Sequence, residues 1–204
     1  MKASITLLGL SLLFFSAGAQ DWTETNFKHN NIYEGWYVKN TGDTVKGFFR
    51  YGYKAENQKK CDFYELDPAS GQKKFKESFK PEDIKSFMVG DKLYRSIHYS
   101  GGLMAKPLRF CLVTHDGPIC EYVFYSEGTA AEDKTVYHKA HDPNNNEPKE
   151  LQYFGIGFAK KMAEYVSDYV ELSKKIADKE KGYGMLKILD IIKEYNDWYL
   201  AQKK

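Results

Sequence analysis

From about residue 32 to 154 the chain alternates short runs rich in apolar and β-branched positions with compact clusters of Gly, Asp, Asn and Pro. That is the pattern of strands separated by turns. Residues 33–39 and 44–53 flank Asn40-Thr41-Gly42-Asp43, where glycine tolerates a positive φ, so the first element is a predicted hairpin. Residues 61–66 and 72–75 flank Asp67-Pro68-Ala69-Ser70-Gly71, and 86–89 and 92–99 flank Gly90-Asp91. Residues 107–114 and 119–126 flank His115-Asp116-Gly117-Pro118, and 134–139 carries a fainter strand pattern. Lys80-Pro81-Glu82-Asp83-Ile84-Lys85 reads as a single helical turn. Turns so closely spaced predict an antiparallel meander, since parallel strands need crossover helices, and such a sheet is expected to curl into a roll or partial barrel. Phe110-Cys111-Leu112-Val113 has no polar break, which predicts a central strand buried on both faces, partnered by 122–125.

Asp142-Pro143-Asn144-Asn145-Asn146-Glu147-Pro148 is the clearest loop, and after it the period changes. Phe158, Met162, Tyr165, Val166, Tyr169 and Val170 recur at helical spacing. Asp168 with Glu171 fits a capping box, so the helix is expected to break at Ser167-Asp168 and restart toward Leu172 and Ile176. Gly182 and Gly184 stop it. A last helix over 185–200 carries Met185, Ile188, Leu189, Ile192, Tyr195 and Tyr199 on one face, which should pack on the preceding helix and the sheet. The predicted fold class is α+β: an antiparallel meander followed by two or three short C-terminal helices.

The N-terminus changes the setting. Met1-Lys2, an apolar run over 5–15 and the small residues Ala17-Gly18-Ala19 have the order of a secretory signal peptide cut before Gln20. The apolar run is well short of the ~20 residues a bilayer demands, and nothing later in the sequence is membrane-length. The chain therefore divides into a leader over 1–19, a β-rich domain over 20–150 and a helical segment over 151–204. With 30 basic and 28 acidic residues among 204, no uniform field draws it to nucleic acid. Export places Cys61, Cys111 and Cys120 in oxidising surroundings. A two-residue turn at Asp116-Gly117 would set Cys111 opposite Tyr122 and Val113 opposite Cys120, leaving the two sulfurs diagonal. Three separate buried thiols are the expectation, with a disulfide between two of them the alternative.

The stretch 37–48 (YVKNTGDTVKGF), the stretch 80–87 (KPEDIKSF) and the ending Glu194-Tyr195-Asn196-Asp197-Trp198-Tyr199 resemble a group of uncharacterised exported proteins common in Bacteroidota. The resemblance implies a Gram-negative envelope or secreted setting and carries no activity across. Some members of that group continue into a larger outer-membrane barrel, where this chain has helices.

Reactive constellations are sparse. His138, His141 and Asp142 have the residue types to hold zinc, with His98 or His115 added by the fold, but exposed histidines at the edge of a polar loop are the simpler reading. Ser100-Gly101-Gly102 next to His98 lacks the Gly-x-Ser-x-Gly elbow. No Cys-x-x-Cys is present, and Gly155-Ile156-Gly157 lacks the Lys-Ser or Lys-Thr of a phosphate loop, so helix entry is the simpler reading. No metal, cofactor or catalytic residue is assigned.

The positive signal is aromatic: 16% of residues are Phe, Trp or Tyr, and Trp22, Tyr33, Trp36, Tyr37, Tyr51 and Tyr53 crowd the first hairpin. Alternation along residues 33–39 predicts Trp36 in the core and Tyr33 and Tyr37 outside. Tyr33, Tyr37 and Tyr51 are the candidate ligand-binding residues. The expectation is an exported, non-catalytic binding or envelope-accessory protein whose partner is a protein or a glycan. The alternatives are docking on an outer-membrane or secreted partner through the C-terminal helices, sugar binding through exposed tyrosines, and a small hydrolase.

Overall fold

The computed structural model describes residues 27–99, 101, 107–126 and 133–203. β1 (Ile32–Lys39) and β2 (Thr44–Arg50) form the first hairpin. A helical turn that the hydrophobic pattern did not show, α1 (Lys54–Asn57), leads to β3 (Cys61–Leu66) and β4 (Lys73–Phe79). Then follow β5 (Ile84–Val89), β6 (Lys92–His98), β7 (Leu108–His115), β8 (Cys120–Tyr125), β9 (Asp133–His138) and the short β10 (Lys149–Glu150). All pairings are antiparallel, in the order β10-β9-β8-β7-β6-β5-β1-β2-β3-β4, with open edges at β10 and β4. Three helices close the chain: α2 (Phe158–Tyr165), α3 (Val170–Ala177) and α4 (Ile188–Ala201). The α+β architecture, meander first and helices after, is the one expected.

One step interrupts the meander: β5 pairs with β1 and not with β4. Only the four residues 80–83 join β4 to β5, with the Asp83 N–H donating to the Lys80 carbonyl. In a flat sheet these strands would stand four spacings apart, roughly 19 Å, while five Cα steps reach only about 17 Å. The sheet must curl. It does so at Gly35 and Gly47, which face each other across β1 and β2. A Cβ on Gly35 would overlap the Met88 carbonyl, and one on Gly47 would overlap the Phe63 ring. The missing side chains let β5 and β3 press onto the hairpin, a known use of glycine at barrel corners. β3 meets β2 only at Phe48–Tyr64 and Phe49–Phe63 before hairpin β3–β4 folds back over β1.

The space enclosed is filled with rings. Tyr37 lies edge-on to Phe63 at 5.1 Å and touches Phe79 at 4.6 Å, and Phe87 stacks on Tyr94 at 4.8 Å. Here the expected facing of β1 is reversed. Tyr37 is buried in this core, whereas Trp36 is half-buried on the other face, opposite Lys46. The partner strand decides it: Thr44, Lys46 and Arg50 are polar on Trp36's side, and Val45, Gly47 and Phe49 line Tyr37's.

β7 is buried on both faces, as its sequence predicts. Phe110 and Leu112 enter the first core; Cys111 and Val113 enter a second, with Ile97, Tyr99, Tyr122, Phe124 and Val136. Tyr99 donates to Glu150 at 2.7 Å, joining β6's end to β10, so this half of the sheet bends the opposite way. The β7–β8 hairpin pairs Val113 with Tyr122, two residues off the expected register, because an irregularity beside Thr114 lengthens the loop. All three cysteines are free and buried. Burial pushes the Cys111 thiol up to about 12 and the Cys120 thiol up to about 11.

The helices form a third core with Ile119, just before β8, and Tyr137 of β9. The break between α2 and α3 falls where expected, but Asp168 does not cap α3, whose N-cap is Tyr169 with no side-chain bond. The Asp168 carboxylate instead accepts from Lys139 at 2.7 Å and from the Tyr195 hydroxyl at 2.6 Å. Lys139 is fully buried and also donates to Asp142 at 2.9 Å and to the Tyr165 carbonyl at 3.2 Å. Asn196 donates to the Ile119 carbonyl at 2.9 Å and accepts from its N–H at 2.7 Å, pinning α4 to the β7–β8 hairpin. On α4 the buried set is Ile188, Ile191, Ile192 and Tyr195; Met185 and Leu189, expected on that stripe, are exposed.

These contacts set the cost of single substitutions. Gly35→Ala should cost about 3 kcal/mol in denaturant unfolding, since it overpacks against backbone, while Gly184→Ala, where a Cβ meets nothing, should change stability by less than about 0.5 kcal/mol. Lys139→Met should cost about 3 kcal/mol by leaving its carboxylates uncompensated, and Tyr195→Phe about 2 kcal/mol. Tyr165→Phe removes a buried hydroxyl that has no hydrogen-bond partner among the described residues; it should be neutral or stabilising in the same measurement.

Candidate functional site

The structure removes two of the three tyrosines expected to bind ligand from the surface. Tyr37 belongs to the first core, and Tyr51, just past β2, is also buried. Tyr33 is half-buried, edge-on to Phe27 at 4.5 Å, with its hydroxyl accepting from the Lys28 N–H at 2.8 Å. The ring that reaches solvent is Tyr53, 61% exposed.

Tyr53 ends a three-ring stack. It lies on His29 with centroids 4.4 Å apart, and His29 lies nearly parallel to Tyr51 at 5.5 Å. Local backbone bonds build the stack. The N–H of Asn30, whose φ of 64° is unusual outside glycine, donates to the Tyr51 carbonyl at 2.8 Å, and Tyr51 N–H donates to the Asn31 carbonyl at 2.9 Å. His29 Nδ1 is 3.2 Å from the Gly52 carbonyl. That oxygen can only accept, so Nδ1 carries a proton, and in the neutral ring Nε2 is then the acceptor. Behind Tyr53, Asn57 donates to the Gly52 carbonyl and accepts from its N–H, while Tyr53 is the N-cap residue of α1.

Beside the stack lies a charge cluster. Arg50 donates to Glu56 Oε1 at 2.6 Å, to Asp62 Oδ2 through both Nε and Nη2, and to Asn30 Oδ1 at 3.0 Å. Hydrogen bonding from Arg50 holds the Glu56 carboxyl below its ordinary range. Burial raises Asp62, but Ser78 and Arg50 outweigh it and leave that carboxyl lowered as well. The result is a solvent-facing ring framed by an amide, a carboxylate and an imidazole.

The other candidates do not converge. His138 Nε2 faces the Asn146 carbonyl at 2.8 Å, His141 lies between the Pro118 carbonyl and the Tyr195 hydroxyl, and Asp142 takes Lys139. Among the described residues no group of three or more His, Cys, Asp or Glu is placed to hold a metal. His98 pairs with Leu108 at the start of β7 and His115 sits at its end, about 23 Å apart along the strand. His115 Nδ1 is 2.9 Å from Glu121. Ser100 lies outside the described residues. Gly157, at φ 76°, is simply the N-cap of α2. No helix among the described residues is long and apolar enough to cross a membrane.

Comparison with protein-family models, with curated proteins and with solved structures finds no match to this chain.

Sequence reasoning missed Tyr53 and His29 as a pair. The available signal was the break of the strand pattern at Gly52, which ends the in-and-out alternation that would have placed Tyr53 inside with Tyr51.

The histidines do set a pH dependence. Burial lowers both His138 and His141, with Lys139 adding to the effect at His141. A depressed folded pKa means the native state resists protonation, so this stability is complete above the unfolded value of about 6.5 and is lost as pH falls through the folded pKa. Thermal midpoints measured from pH 7.5 to 5 should fall with acid in wild type, and the slope should flatten in the His138→Gln, His141→Gln double variant. The lowered Glu56, Asp62 and Asp142 carboxyls add a second loss only below about pH 4.

Proposed function

We propose that the chain is an exported protein that acts by binding, not by chemistry, and that Tyr53 with His29 is its binding surface. The observation that carries this reading is the exposure of Tyr53 on a stack whose other members are fixed by backbone bonds. A surface ring on a rigid base loses little entropy on capturing a ligand. The leader pattern over 1–19 and the resemblance to exported Bacteroidota proteins support an envelope or secreted setting.

A second reading rests on a separate observation. Of ten exposed large hydrophobics among the described residues, seven lie between Tyr153 and Leu200, with Ile156 at 90% and Leu186 at 100%. Apolar side chains gathered on the helical segment suit a protein partner.

Expression of the full chain in a Gram-negative host should give a product whose mass begins at Gln20 and which fractionates outside the cytoplasm. An unprocessed cytoplasmic protein would refute export. The purified mature protein should co-sediment with envelope fragments, and Tyr53→Ser should reduce that retention severalfold while the Ile156→Ser, Leu186→Ser double variant leaves it intact. The reverse outcome would replace the first reading by the second.

A further inference from the structure

The chemistry around Tyr53 narrows the ligand, given the binding reading above. An apolar protein partner would need apolar neighbours beside the ring, since protein hot spots sit within a wider desolvated patch. Among the described residues the Tyr53 ring rests on His29, with Lys54 next in sequence and Asn30 and Glu56 joined through Arg50, and the other exposed rings and aliphatic groups are Leu66 and Phe75, on hairpin β3–β4, and residues of the helical segment. A nucleic acid would need uncompensated cations along a track. Here the guanidinium of Arg50 is taken by Glu56 and Asp62, and Glu56 puts a carboxylate at the site.

A pyranose matches what remains. One face of the sugar carries axial C–H groups and is flat and apolar, suited to an aromatic face. Its rim carries hydroxyls that each donate and accept. The site offers both partners: the amide of Asn30, whose oxygen is held by Arg50, leaves its NH2 as donor, while His29 Nε2 and the Glu56 carboxylate are acceptors. Arg50 fixes Asn30 and Glu56 through the same guanidinium, so their spacing is set before any ligand arrives. We infer that the Tyr53 step binds the apolar face of a pyranose, and that the ligand of this protein is a carbohydrate chain.

The test uses the mature chain and four soluble hexasaccharides, built of glucose, xylose, N-acetylglucosamine and galacturonate. At least one should titrate tyrosine fluorescence to saturation. Saturation-transfer NMR should mark the C–H protons of one sugar face. Tyr53→Ala should weaken that binding about tenfold with an unchanged thermal midpoint, because the side chain is exposed. Tyr53→Trp should retain it, and Tyr153→Ala, an exposed ring on the helical segment, should bind as wild type. Failure of all four sugars, or a Tyr53→Ala variant that binds as wild type, overturns the inference. If Tyr53-dependent retention on envelope fragments survives that failure, the site binds something other than sugar. If retention is also absent, the binding reading falls with it.

Discussion

The architecture turns on two glycines. Gly35 and Gly47 are paired across the first hairpin, and the Met88 carbonyl and the Phe63 ring occupy the space their side chains would have taken. Without that close approach the four residues between β4 and β5 could not span the sheet. With it, the first five strands roll around a narrow interior that only a few large side chains can fill. Tyr37, Phe49, Phe63, Phe79 and Phe87 fill it, ring against ring. The aromatic richness of the chain is thus largely a packing requirement of a tight roll.

The second half of the sheet bends the other way and is secured by charge as well as by apolar contact. A fully buried ammonium at Lys139 is tolerated because two carboxylates and a carbonyl surround it. Taking such a group out of water costs several kcal/mol, so its net contribution to stability is small compared with what its removal would lose. What it provides is direction. Lys139 follows β9, Asp168 joins α2 to α3 and Tyr195 lies on α4, so one cluster fixes the helices on the sheet in one arrangement. The Tyr195-Asn196 pair has a structural task here: Tyr195 joins this cluster while Asn196 holds the Ile119 backbone.

Much of the fold was legible because local pattern and final structure agree. Strand positions follow alternation and turn residues, and the double burial of β7 follows from its unbroken apolar run. What local pattern cannot show is curvature. Alternation along β1 separates two faces but does not say which of them meets the core. Lys46 and Arg50 on the partner strand, aligned across the Asn40–Asp43 turn, contain the correct answer. Asp168 misled in a different way: a capping-box spacing was present, but a buried lysine distant in sequence was the stronger claimant for its carboxylate. The exposed Tyr53 was hidden for the same reason, because its surroundings assemble from residues 29, 30, 50 and 56, which no single strand period links.

The same curvature explains why that ring is held so firmly. α1 crosses the mouth of the first roll, and the buried Gln58 at its end donates to the Tyr125 carbonyl at 2.8 Å and accepts from the Tyr125 N–H at 2.6 Å. Its own carbonyl accepts from Phe110 N–H at 3.0 Å. Asn57 clamps Gly52 from the other side and donates to the Tyr94 hydroxyl inside the core. Both buried amides are bonded at donor and acceptor alike, and buried polar groups of this kind specify geometry because their alternatives are costly. Tyr53 therefore stands between a strand end fixed by the hairpin and a helical turn fixed by β7 and β8. Its outward direction is imposed by the core beneath it, which is the condition under which an exposed aromatic side chain serves as a preformed contact and not as an accident of a loop.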